Sequence, residues 1–164
     1  MGQLFEEMDF CRARRAAHLK ILRELVKPFG QDERCLKTFP GVGFIGACTL
    51  IACLESGWRV ANKRRLWTYC GVGIRKHESH GTGHRGASRQ GNRYLKTVLM
   101  TAAVAISSDR SPDNSLALMW HREVGRGVAP ARARRNLARK VAVLAQRCLR
   151  FKQEYDDEQV TATP

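Results

Sequence analysis

Residues 92 to 106 read Asn-Arg-Tyr-Leu-Lys-Thr-Val-Leu-Met-Thr-Ala-Ala-Val-Ala-Ile, and this stretch decides the fold. Its apolar residues recur at steps of three and four, which is the spacing of one face of an α-helix. That face is formed by Leu95, Val98, Leu99, Ala102, Ala103 and Ile106. We therefore expect a helix after Asn92 that is anchored in the core of a mainly α domain.

The residues in front of this helix are basic and rich in glycine. Residues 82 to 96 read Thr-Gly-His-Arg-Gly-Ala-Ser-Arg-Gln-Gly-Asn-Arg-Tyr-Leu-Lys. Glycines let backbone N–H groups approach an anion, arginines offer paired donors to phosphate oxygens, and a helix N-terminus adds positive potential. The segment therefore has the form of a phosphate site, with Arg93 and Lys96 on the outer side of the helix.

Ser88 lies in the middle of this segment, and two roles are open for it. Its hydroxyl can donate a hydrogen bond to a bound phosphate or serve as a turn residue. It can also act as a nucleophile on a DNA phosphodiester, which requires cations around the phosphate and a group that takes the proton. Arg85, Arg89 and Arg93 could supply the cations, whereas Glu78 is a weak candidate for the base.

Residues 35 to 52 predict a short helix, a Pro-Gly-Val-Gly turn and a second helix. This order is typical of a helix-hairpin-helix element, in which the N–H groups of glycines such as Gly41 and Gly43 contact a nucleic-acid backbone without reading its sequence. A plain helix-helix turn without a ligand is the alternative.

Residues 62 to 70 predict a short helix, with Asn62 as its N-cap and Gly71 as the residue that ends it. Its cations at 63 to 65 form either a solvated face or a phosphate contact.

The polar segment from Gly71 to about Gln90 predicts short strands or a loose hairpin. Its histidines, His77, His80 and His84, lack a second pair of ligands, so we predict no metal site.

Two more helices are expected in the C-terminal half. Ser111-Pro112-Asp113 has the composition of a helix start, and the pattern continues to Gly125, with Trp120 in the core rather than on a base-stacking surface. A last helix is predicted over 130 to 152. Its packed side carries Leu137, Val141, Leu144, Cys148 and Phe151, opposite a charged side with Arg132, Arg135 and Arg139.

The N-terminal segment predicts a long amphipathic helix from about residue 3 to residue 27. Leu4, Cys11, His18 and Leu25 are seven residues apart, which is the spacing of a coiled coil, although Arg15 and His18 weaken it. The helix either packs on its own domain or forms a dimer. We expect a connector over 1–33, the main domain over 34–152 and an acidic tail over 153–164.

The charge of the chain points to a polyanionic partner. Residues 35 to 145 carry 19 basic and 5 acidic side chains, which is the whole of the net charge of +14. Such an excess favours nucleic acid and predicts binding that weakens steeply with salt. Without a signal peptide or a long apolar run, we expect a cytoplasmic protein with no membrane span and with its six cysteines reduced.

Three motifs carry a resemblance to a known family: Phe-Pro-Gly-Val-Gly at 39–43, Leu-Trp-Thr-Tyr-Cys-Gly-Val at 66–72, and Arg-Gly-Ala-Ser-Arg-Gln-Gly-Asn-Arg-Tyr-Leu-Lys at 85–96. In this order, ahead of a basic terminal helix, they resemble the C-terminal domain of the insertion sequence 110/116/902 type transposases, a group that includes the Piv and MooV invertases. The resemblance covers roughly residues 34 to 152.

The resemblance implies that Ser88 is the nucleophile of DNA recombination, and that Arg85, Arg89, Asn92 and Arg93 contact phosphate beside it. Members of the family also have an N-terminal RuvC-like domain with acidic metal ligands, a helical connector that dimerises and, in several cases, a structured guide RNA.

The RuvC-like half is not found in this chain, so we expect a truncated or split form that binds DNA but is inactive without a RuvC-like partner. Mg²⁺ is expected only with that partner, and none of the metal ligands is expected here. The expected partners are DNA, a guide RNA and a second chain, in a homodimer or in a mixed dimer with full-length transposase. The alternative is a noncatalytic nucleic-acid-binding module, or a remnant that modulates the full-length enzyme.

Overall fold

The computed structural model describes residues 2–79, 82–87, 90–108, 114–158 and 160. Its elements are α1 (Gly2–Val26), a 3₁₀ helix (Lys27–Phe29), α2 (Gly30–Lys37), α3 (Phe44–Leu54), α4 (Lys63–Tyr69), β1 (Ile74–Ser79), β2 (Thr82–Ala87), α5 (Arg93–Ser107), α6 (Ser115–Gly125) and α7 (Pro130–Phe151). The predicted mainly α fold is confirmed.

The chain divides into two compact units, Met1–Gly30 and Gln31–Pro164. In the first unit, α1 runs for 25 residues and none of them is buried. Its exposed apolar side chains include Leu4, Phe5, Met8, Phe10, Ile21 and Leu25.

The core of the second unit is centred on α5, as its periodicity predicts. Leu95, Leu99, Ala102, Ala103 and Ile106 are buried, and Val98 is half-buried. Helices α3, α6 and α7 pack against α5, and α7 forms the most extensive of these contacts. The helix that follows the glycine-rich segment is therefore held on several sides.

Helix α7 covers much of this core with its apolar side. Ten of its residues are buried, and the helix ends where Lys152 adopts a left-handed conformation with φ of 54°. Two expectations for α7 are wrong. Phe151 is 53% exposed rather than packed, because it lies at the end of the helix beside the ring of Trp58. Arg139 is half-buried, for reasons given below.

Helix α6 begins at Ser115, after an N-cap at Asn114 whose side chain accepts a hydrogen bond from Ala117 N. The start that we predicted at 111–113 lies outside the described residues. Trp120 is half-buried, with the Arg134 guanidinium 5.9 Å from the centre of its ring.

The segment after α7 packs on the domain. The Asp157 carboxylate accepts hydrogen bonds from Ser115 N and Ser115 Oγ, so it adds a second cap to α6. The ring of Tyr155 lies against that of Phe39, with centres 4.9 Å apart and planes tilted by 48°, and its hydroxyl donates to Asp157. Lys152 forms an ion pair with Asp32 of α2.

The two strands form an antiparallel hairpin in which Ile74 pairs with Ala87 and Ser79 pairs with Thr82. It occupies the segment for which the sequence predicted short strands or a loose hairpin. His77 pairs with His84 along the backbone, while their side chains and His80 lie outside the described residues.

All six cysteines are free, and Cys35, Cys48, Cys70 and Cys148 are buried. Burial raises the pKa of the Cys70 thiol to about 12. Within the described part of the chain, no helix combines the length and the apolar character that crossing a membrane requires.

Candidate nucleic-acid site around Ser88

Ser88 and Arg89 lie outside the described residues, but the structure describes the residues on both sides of them. Strand β2 ends at Ala87, and Gln90, Gly91 and Asn92 lead into α5. We call residues 74 to 90 the Ser88 segment, and the structure shows how each of its two ends joins the domain.

The C-terminal end of the segment is fixed to the turn after α4 by a contact between two glycines. Gly91 has φ of 128°, and a Cβ atom there would lie 2.6 Å from Gly71 N and Cα and 2.8 Å from Thr68 O. These are backbone atoms, which cannot move aside as a side chain can. Asn92 N donates to Tyr69 O at 2.7 Å. Only glycine fits position 91, because both the dihedral angle and the space exclude a side chain.

The N-terminal end of the segment is fixed to the same helix. Val72 N and Gly73 N both donate to Trp67 O at 2.9 Å, directly before β1 begins. The residues from 74 to 90 therefore leave and rejoin the domain at the last turn of α4. This arrangement brings together the second and third sequence motifs, which the β-hairpin separates in the chain.

Asn92 serves as the N-cap of α5. Its Oδ1 atom accepts hydrogen bonds from Tyr94 N at 2.9 Å and Leu95 N at 3.2 Å. These bonds satisfy two N–H groups that the first turn of a helix otherwise leaves without a partner. The side-chain oxygen of Asn92 therefore caps the helix, whereas the sequence predicted only a phosphate contact for this residue.

Two predicted cations stand at the start of α5. Arg93 is exposed, with its guanidinium 5.5 Å from the centre of the Tyr94 ring, and Lys96 is half-buried, with its stem beside Gly71. Among the described residues, neither side chain has a carboxylate within ion-pair distance. Arg85 lies on β2 opposite Lys76, and both side chains lie outside the described residues.

Arg139 was expected on the charged face of α7, and this interpretation is wrong. Its Nε atom donates to Val72 O at 2.7 Å, and its guanidinium lies 5.7 Å from the centre of the Trp67 ring. Trp67 Nε1 in turn donates to Arg139 O at 3.2 Å. Arg139 therefore links α7 to the turn from which β1 starts, and its side chain is half-buried between them rather than on an exposed charged face.

Cations of α4 and α7, Arg139 among them, lie near enough to affect one another's pKa. Burial lowers the pKa of Lys140, and the nearby charge of Lys63 lowers it further. Burial also lowers the pKa of Arg139, followed by the charges of Arg135 and Arg132. Like charges held this close repel one another, and a polyanion at this surface would relieve the repulsion.

The two glycines of the predicted helix-hairpin-helix turn differ in their surroundings. Gly41 has φ of 76°, and a Cβ atom there would lie 2.9 Å from Ala102 O of α5, so both the dihedral angle and the packing require glycine. Gly43 is exposed and forms the N-cap of α3, and a Cβ atom at this position would meet nothing within 4 Å. Both glycines are exposed, and Gly43 is the one that stands at the N-terminus of a helix, where a ligand could approach.

A family model described as the transposase IS116/IS110/IS902 family matches residues 33–117. The chain belongs to this family. The matched range includes the turn at 39–43, the motif at 66–72 and the whole segment around Ser88. A search of curated proteins finds no match.

Sequence reasoning missed the two contacts that build the frame, namely the one between Gly71 and Gly91 and the one between Trp67 and Arg139. The glycines were visible as parts of two motifs that resemble the transposase family, which is the signal that could have paired them. Arg139 offered no such signal, because it lies outside the matched range and continues an otherwise charged face.

Proposed function

We propose that this chain is a DNA-binding transposase domain in which Ser88 attacks a DNA phosphodiester. The observation that carries the proposal is the attachment of both ends of the Ser88 segment to α4, beside Arg93 and Lys96. A nucleophile must be held in a fixed position relative to the phosphate, and the frame of Gly71, Gly91 and Asn92 supplies a rigid base for it.

The proposed reaction exchanges one phosphate ester for another. The oxygen of Ser88 forms a bond to phosphorus, the bond from phosphorus to one deoxyribose oxygen breaks, and the released oxygen takes up a proton. The proton of the serine goes to a carboxylate base on a RuvC-like partner domain, which would also hold Mg²⁺. Arg85, Arg89 and Arg93 stabilise the charge that develops on the phosphate oxygens.

DNA binding in this proposal is independent of sequence and uses several surfaces. Gly43 offers its backbone at the start of α3, Lys96 stands beside Gly71, and the cations of α4 and α7 extend the positive surface. Contacts of this kind position a duplex through its phosphates and give binding that falls with salt.

Helix α1 supports the proposal that the chain acts as a dimer. No residue of α1 is buried, so its exposed apolar side chains are available for a partner to cover. We propose that a second chain, either another copy or a full-length transposase, packs along Leu4, Cys11, His18 and Leu25.

The chemistry is tested with supercoiled element-end DNA, incubated with and without a family RuvC-like domain and a guide RNA, and separated on denaturing gels. We expect a protein-DNA adduct that disappears in Ser88→Ala. Ser108→Ala is the matched control, because Ser108 is an exposed serine at the end of α5 and should leave the adduct intact. The absence of an adduct under every condition would contradict the catalytic role.

Binding without chemistry is the second candidate, and the crowded cations of α4 and α7 favour it because they do not involve Ser88. Replacing Arg89 and Arg93 with glutamine should weaken binding to all duplex sequences and lower the salt slope by about 2. The control replaces two exposed arginines at the C-terminal end of α6, Arg122 and the C-cap residue Arg126, in the same way. Equal losses of DNA affinity in the two double variants would mean that the Ser88 segment does not contact the DNA.

A further inference from the structure

The connection between α3 and α4 contains a solvent-exposed tryptophan, Trp58. Trp58 is 65% exposed, whereas Trp67 and Trp120 are half-buried. Exposed tryptophan is uncommon because its ring offers a large apolar area, so the reason for its exposure lies in the way its loop is built.

The loop is fixed to α7 by side chains that reach its backbone. Gln146 is buried, and its Nε2 atom donates to Gly57 O at 2.9 Å and to Val60 O at 2.7 Å. Arg150 donates to the same two carbonyl groups through Nε and Nη2. Gly57 and Val60, which flank Trp58 and Arg59, therefore each accept two hydrogen bonds from α7.

The backbone of the loop carries strain and close packing. Glu55 has φ of 55° and ψ of −90°, a conformation that costs a non-glycine residue free energy. A Cβ atom at Gly57 would lie 2.5 Å from Gln146 O and 2.7 Å from Arg150 N. The surrounding structure therefore fixes the backbone from which the Trp58 side chain extends.

The ring of Trp58 is part of a small aromatic and cationic surface. The Arg150 guanidinium lies over one face of the ring, 4.8 Å from its centre, and the Phe151 ring approaches edge-on with centres 6.1 Å apart. The exposed fraction of Trp58 leaves its other face to solvent. Among the described residues no carboxylate forms an ion pair with Arg150, so this surface keeps its positive charge.

We propose that Trp58 is a stacking site for an unpaired base of single-stranded nucleic acid. A flat ring that is open on one face and backed by a guanidinium on the other matches a base stacked above it, with the charge of Arg150 near the phosphate. Bases inside a duplex are already stacked, so this surface acts on single-stranded regions and adds a specificity that the cations of the Ser88 segment do not have. The inference rests on the proposed function only in that the chain binds nucleic acid.

The test compares Trp58→Ala, Trp58→Phe and Leu118→Ala in binding to an oligothymidylate of about 12 nucleotides and to a duplex of equal length, by fluorescence anisotropy. We expect Trp58→Ala to weaken binding of the single strand by about 5-fold to 150-fold and that of the duplex by less than about 2-fold. Trp58→Phe should retain most of the affinity. Leu118→Ala removes another exposed apolar side chain from the same domain and should change neither.

Two further readouts separate stacking from other roles of Trp58. Quenching of tryptophan emission by the oligothymidylate should be lost in Trp58→Phe, and the salt slope should stay unchanged in Trp58→Ala because no phosphate contact is removed. Unchanged single-strand affinity in Trp58→Ala, or an equal loss for the duplex, overturns the proposal. A change in sedimentation mass without a change in binding also overturns it and assigns Trp58 to a protein contact.

The two proposals fail in different ways. Loss of duplex binding in the Arg89 and Arg93 variant leaves the effect of Trp58 on the single strand to be measured in the same protein. Loss of the adduct in Ser88→Ala has no bearing on it, because stacking does not involve the serine hydroxyl.

Discussion

Helices α1 and α7 are the longest described helices, with 25 and 22 residues, and both mix apolar with cationic side chains. Ten residues of α7 are buried and none of α1 is. The apolar residues of α7 keep steps of three and four throughout, with alanines beside them that let neighbouring helices approach. In α1 the repeat is interrupted at Arg15. Both stretches form helices, but only the unbroken apolar stripe of α7 is buried.

The largest difference is expected in the free energy of unfolding when one leucine of each helix is truncated. Leu137→Ala in α7 removes a side chain with 0% exposure and should cost about 2–5 kcal/mol. Leu25→Ala in α1, where the side chain is 66% exposed, should stay within about 0.5 kcal/mol at a protein concentration low enough to keep the chain monomeric. Urea unfolding measures both. Equal costs would mean that α1 is packed as firmly as α7.

The next effect concerns the loop that α7 holds. Gly57→Ala places a Cβ atom against the backbone of Gln146 and Arg150 and should destabilise the domain by about 1–3 kcal/mol. Gly125→Ala, at the end of α6, meets nothing within 4 Å and should be neutral or stabilising. Thermal unfolding of the two variants gives the comparison. A neutral Gly57→Ala would show that the loop is less rigid than its hydrogen bonds indicate.

The segment after α7 predicts a dependence of stability on pH. Burial acts to raise the pKa of Asp157, but the hydrogen bonds from Tyr155 and Ser115 outweigh it and lower the pKa. A lowered pKa in the folded state contributes stability above the unfolded value of about 3.9, and this contribution is lost as the pH falls through the folded value.

Asp157→Asn should therefore reduce stability at pH 7 by about 1 kcal/mol and flatten its decline below about pH 4. Unfolding by urea at a series of pH values measures this change. Asp9→Asn in α1, an exposed position with only a local ion pair, is the control. A parallel shift of both variants would argue against a special role of Asp157.

The smallest expected effect is on stability when the cysteines of the two helices are alkylated. Cys11 in α1 is exposed and should react with iodoacetamide first, without changing the Tm at a protein concentration that keeps the chain monomeric. Burial, followed by the neighbouring Cys35, raises the pKa of the Cys148 thiol in α7 to about 12, so it should react only when the domain opens. Mass spectrometry of the time course resolves the two sites. Protection of Cys11 that grows with protein concentration would indicate a second chain along α1.

Much of the fold was open to prediction because helix signals are local. The caps at Asn62 and Asn92, the core face of α5 and the extent of α7 each depend on residues within one or two turns. The site was predictable only in part. The glycines and cations were visible as motifs, but the meeting of Gly71 with Gly91 joins segments whose separation in the chain carries no periodic signal.

The sequence by itself determined that the chain is helical, where most helices begin and end, and that its charge favours nucleic acid, because hydrogen bonding within a helix and the count of charges depend on near neighbours or on composition. Only the tertiary structure decided that Arg139 donates to Val72 and lies over Trp67, and that Phe151 packs beside an exposed Trp58. It also decided that both ends of the Ser88 segment are fixed to α4. Each of these depends on which surfaces meet when the helices pack, and on which backbone carbonyls that packing leaves for a side chain to reach.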